Sequence, residues 1–63
     1  MPPPPNPREK LAAMLDDIAA ASKQARIQIS VFRDVANKRD FDLLDRIFGD
    51  LIDVETSIQR FVR

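Results

Sequence analysis

Asn37-Lys38-Arg39-Asp40 separates two long helical patterns, and its reading decides the fold. Asn tolerates the left-handed backbone that ends many helices. Lys38 and Arg39 suit the negative C-terminal end of a first helix, and Asp40 and Asp42 suit the positive start of a second. Asp40 is the expected N-cap of that second helix. The alternative places Asn37 at the cap and Asp40 in the first turn. Either way the chain reverses within these four residues.

Upstream of the turn, Asn6-Pro7-Arg8-Glu9 carries a cap residue, a proline at the first helical position and a glutamate at the third. These signals place the start of helix 1 at Pro7. Leu11, Leu15, Ile18, Ser22, Ala25, Ile29, Phe32 and Ala36 recur at alternating spacings of four and three, so helix 1 is expected over about 7–36. Ile27, Ile29 and Val31 alternate with polar residues as in a strand, but the longer helical period outweighs that short run. Residues 1–6, with prolines at 2 to 5, form a proline-rich arm that favours polyproline II and is expected to be a flexible tail, the alternative being docking on an aromatic-lined groove.

Downstream, Leu44, Ile47, Leu51, Val54, Ile58 and Phe61 make an unbroken ladder, giving helix 2 over about 41–61. Gly49 lies opposite that ladder and reads as a tolerated surface glycine. The spacing from Val35 to Ile47 is neither a whole number of heptads nor a simple stutter, which argues against one continuous helix. The expected fold is all-α: an antiparallel two-helix hairpin over 7–63 that dimerises into a four-helix bundle. Folding at the turn sets Phe32 near Leu44, Ile29 near Phe48, Ile18 near Ile58 and Ser22 opposite Glu55. Ser22 is expected at the solvent edge. Leu44, Ile47, Leu51, Val54, Ile58, Ile18, Ile29 and Phe32 are the expected seam.

Asn37-Lys38-Arg39-Asp40-Phe41, followed by Leu43-Leu44, resembles the turn of Sda-type hairpins, small inhibitors of sporulation histidine kinases. The resemblance is confined to the turn and its flanks. It implies a helical hairpin and carries over no functional residue.

Composition narrows the function. The chain has 63 residues, room for one domain. Ten basic and ten acidic side chains cancel, which removes the usual electrostatic footprint of a nucleic-acid or anionic-membrane binder. With no cysteine and no histidine there is no disulfide framework, no zinc-thiolate site and no imidazole base. The serines and threonine lack an activating partner, and a single glycine makes no phosphate-cradling loop. No enzyme activity, cofactor or metal is therefore expected. No apolar run reaches the roughly 20 residues of a membrane span, and no secretory pattern is present. The expectation is a cytoplasmic protein.

Two helices cover only one side of each other, and a hairpin this small buries too little to be stable alone. The chain thus reads as a self-associating regulator or an accessory subunit whose partner is itself, as a homodimer, or a larger protein complex. Leu11, Met14, Ile27, Val31, Phe48 and Ile52 are the expected outer contacts. A second reading is a dimeric RNA-binding hairpin using Lys23, Arg26 and Arg33, which share one face of helix 1. A third is a designed bundle with no biological role.

Overall fold

The computed structural model describes Pro3 and residues 6–63. Apart from Pro3 and Asn6, the proline-rich arm lies outside the described residues. Two helices, α1 (Pro7–Arg33) and α2 (Lys38–Val62), pack against each other as an antiparallel hairpin, and the described residues contain no strand. At ~1.5 Å per residue they run ~40 and ~37 Å.

Both N-termini follow from side-chain capping. Asn6 is extended (φ −69°, ψ 161°), and its side chain accepts from the Glu9 amide at 2.8 Å, with Pro7 next in the chain. Asn37 repeats the device: it is extended (φ −67°, ψ 168°), its side chain accepts from the Asp40 amide at 2.8 Å, and its carbonyl accepts from the Phe41 amide. The cap is therefore Asn37 and not Asp40, and helix 2 begins at Lys38. The reason is that the Asn37 side chain satisfies an amide that would otherwise be orphaned in the first turn. Helix 1 correspondingly stops at Arg33, short of Ala36. The chain then tightens through hydrogen bonds from the Val35 amide to the Phe32 carbonyl and from the Ala36 amide to the Arg33 carbonyl. No described residue has a positive φ, so the reversal uses no left-handed asparagine. Lys38 and Arg39 end up in the first turn of α2, where the dipole disfavours them and Asp40 offsets them.

Every described residue that is buried or half-buried lies on one of two rows. On α1 and the turn these are Ala12, Leu15, Ala19, Ser22, Arg26, Ile29, Arg33 and Ala36. On α2 they are Leu44, Phe48, Leu51, Glu55, Ile58 and Val62. Both rows alternate steps of three and four, the spacing of a coiled-coil seam. Leu44, Leu51, Ile58 and Ile29 take their expected places. Ile18, Phe32, Ile47 and Val54 do not: they are exposed by 51, 56, 46 and 44%. Half of the seam is thus rotated by one residue from the most apolar row. Ala12 and Ala19 let the helices approach closely, and Arg26, Arg33 and Glu55 occupy seam positions as linked polar groups. An added Cβ at Gly49 meets nothing within 4 Å, as a tolerated surface glycine requires.

Candidate interaction face and polar seam

The seam is polar at its centre and nearly coreless. Among the described residues Ile58 is the one buried apolar side chain, and Ser22, the residue expected at the edge, is buried as deeply, both at 6% exposure. Ser22 Oγ donates to Glu55 Oε2 at 2.9 Å and also lies 3.4 Å from the Leu51 carbonyl. Arg26 grips the same carboxylate with two bonds, Nε to Oε2 at 2.6 Å and Nη2 to Oε1 at 2.8 Å. This fork matches the planar geometry of guanidinium to carboxylate. The pairing of Ser22 with Glu55 fixes the hairpin register anticipated from the turn.

Aromatic rings interleave with the arginines of the seam. The Arg26 guanidinium lies 5.5 Å from the Phe48 centroid, and that of Arg33 lies 5.5 Å from both Phe41 and Phe48. Arg33 Nη1 donates to Asp45 at 2.7 Å, while its Nε is enclosed without a hydrogen-bond partner. At the open end, Arg8 donates to the Phe61 carbonyl at 2.6 Å with its guanidinium 4.8 Å from the Phe61 ring. Arg26 and Arg33 are therefore engaged with carboxylates, and of the basic stripe only Lys23 extends without a salt bridge.

The Arg26 hydrogen bonds hold the Glu55 carboxyl below its usual range, assisted by Ser22 and opposed by desolvation. The same bonds raise the Arg26 pKa. A carboxylate depressed in the folded state contributes stability that is complete above its unfolded pKa and is lost as pH falls through the folded value. Acid titration followed by helix circular dichroism should therefore show helix loss below the ordinary carboxylate range. Glu55→Gln should flatten that acid limb, and an unchanged limb in the variant would show that the pair does not govern it.

The seam rotation leaves an apolar row uncovered. Stepping back one residue from each seam position of α1 gives Leu11, Met14, Ile18, Ala21, Ala25, Gln28 and Phe32. The same step on α2 gives Leu43, Ile47, Asp50, Val54, Ser57 and Phe61. One step is ~100° around a helix. In an antiparallel pair it turns both helices toward the same broad side of the hairpin. The large apolar members of both rows are exposed, from 37% at Phe61 to 56% at Phe32. The residues that follow the seam lie on the opposite side, which is mainly polar: Asp16, Lys23 and Ser30 from α1, Asp45 and Gln59 from α2. The Arg33–Asp45 bridge and a shallow cleft lined by Lys23, Arg26, Ile27, Ser30 and Phe48 are on this polar side.

This geometry divides the expected outer contacts. Leu11 and Met14 lie on the apolar face. Ile27 and Ile52 are exposed on the polar face, and Val31 points to the back of α1. Phe48 is half-buried in the seam. Ile18, Ile47, Val54 and Phe61 belong to the exposed apolar face although their spacing resembled a seam. The signal available in sequence was the presence of two adjacent heptad rows on each helix, where one buried seam needs a single row. Among the described residues no three acidic side chains converge as metal ligands, and no helix is long and apolar enough to cross a membrane. Comparison with family models, curated proteins and solved structures finds no match to this chain.

Proposed function

We propose that the chain is a small non-enzymatic protein-interaction module, acting as a regulator or accessory subunit that covers its apolar face with a protein partner. One observation carries the reading: eight large aliphatic and aromatic side chains line one exposed broad face, while half of the hairpin's own seam positions are taken by alanines and polar groups. An exposed, predominantly apolar face of this extent on a small molecule marks an association surface. A protein partner fits better than a nucleic acid. The face bears no basic residue, and two of the three basic side chains suited to phosphate are tied to carboxylates.

Dilution tests this. Thermal unfolding of the chain at submicromolar concentration, with sedimentation in parallel, should show a broad, weakly cooperative helix melt for any free monomer. A monomer with a sharp melt whose midpoint is independent of concentration would defeat the proposal, because it would show a hairpin sufficient by itself.

A further inference from the structure

We infer that a second copy of this chain covers the apolar face, related by a twofold axis parallel to the helices, so that α1 of each copy packs on α2 of the other. The inference rests on the interaction-module reading and names its partner.

A twofold axis in this direction leaves every residue at its own height along the bundle. Helix α1 must then meet the second copy's α2 in the register it already shares with its own α2. That register is fixed by Ser22 beside Glu55 and Arg33 beside Asp45. It also sets Phe32 level with Ile47, Ile18 with Phe61, and Ala25 with Val54, each within about half a turn. Each pair is apolar. The charged interruption is matched as well, and Ser57, the other polar residue of the α2 row, is level with the small Ala21. Gln28 is the one polar residue in the α1 row between Leu11 and Phe32, and Asp50 is the one charged residue in the α2 row between Leu43 and Phe61. They fall at the same height, where the Gln28 amide can donate to the Asp50 carboxylate across the interface. On the flank of the same contact, Asp17 of one copy is level with Arg60 of the other, a pair of opposite charges.

Area and charge agree. The hairpin is 19 Å across, and ~37 Å of paired helix gives roughly 700 Å² per copy, on the order of 1,400 Å² in total, within the standard range for a stable complex. A formal net charge of zero means that two copies meet without net repulsion. The other twofold arrangement, with α1 on α1 and α2 on α2, never brings Gln28 of one copy against Asp50 of the other. It wastes the polar match.

The chain has no cysteine, so engineered thiols report contacts cleanly. Sedimentation of the unmodified chain at tens of micromolar should give twice the chain mass. On mild oxidation, a mixture of A25C and V54C chains should yield the mixed disulfide as the dominant crosslink, severalfold above self-linked V54C. Dominant V54C self-crosslinking would overturn the arrangement in favour of α1 on α1. A dimer in which neither pair links would overturn the register. A weakly helical monomer that stays monomeric at high concentration would overturn the second copy as partner while leaving the interaction-module reading intact. A sharply melting, self-sufficient monomer would overturn both.

Discussion

Val54→Asp and Ile18→Asp should each abolish association at concentrations where the unmodified chain is assembled, raising the dissociation constant on the order of a thousandfold or more. Both residues lie on the apolar face with no cationic residue in their rows, and Asp50, one turn before Val54, adds like-charge repulsion there. An ionised carboxylate covered there loses its hydration without gaining a cationic partner, which costs several kcal/mol per ion. In a symmetric dimer the substitution occurs twice, and ~4 kcal/mol is already about a thousandfold in affinity. Ile52→Asp supplies the comparison. Ile52 is nearly as exposed, at 40%, but lies on the polar side of the hairpin, so its substitution should change association by less than about tenfold. Ile27→Asp belongs with it. The measurement is sedimentation equilibrium of the four variants, with helicity recorded at matched concentration. If Ile52→Asp dissociates the assembly and Val54→Asp does not, the wrong face has been assigned.

Local sequence determines the helix starts and the register, but not the seam. The helix starts were legible because capping is local: Asn6 with Pro7 and Glu9, and Asn37 with Asp40, each settle within one turn. The hairpin register was legible because a four-residue reversal leaves little freedom, and Ser22 opposite Glu55 emerges from both readings. The choice of seam was not. On each helix two adjacent heptad rows compete, and they share chemistry on one side. Ranking by apolar content selects Ile18, Phe32, Ile47 and Val54. The hairpin instead turns Ala12, Ala19, Arg26 and Glu55 into its half-buried seam, because close helix approach and a forked ion pair need small residues and opposite charges facing each other. That is a relation between two helices, and no periodicity within one helix contains it. The richer row was legible as apolar, but which surface it serves depends on that relation.

Ile58→Ala should be the most damaging single truncation within the hairpin. Ile58 is buried to 6% exposure on the seam and sits level with Ala19, whose own side chain is too small to fill a void. Truncating a buried isoleucine costs ~2–5 kcal/mol, with the upper part reached where the surroundings do not collapse. A domain of this length has a total stability of only ~3–9 kcal/mol at ~0.05–0.15 kcal/mol per residue. The melting midpoint should therefore fall by more than about 10 °C. Gly49→Ala works in the opposite direction. Its new methyl meets nothing within 4 Å, and replacing a mid-helix glycine should return about 1 kcal/mol. Since Gly49 is far from the apolar face's central pairs, the double variant should recover part of the melting midpoint without changing the mass of the assembly. If Ile58→Ala melts like the unmodified chain, the seam described here does not hold the hairpin together, and the exposed row would have to be doing so.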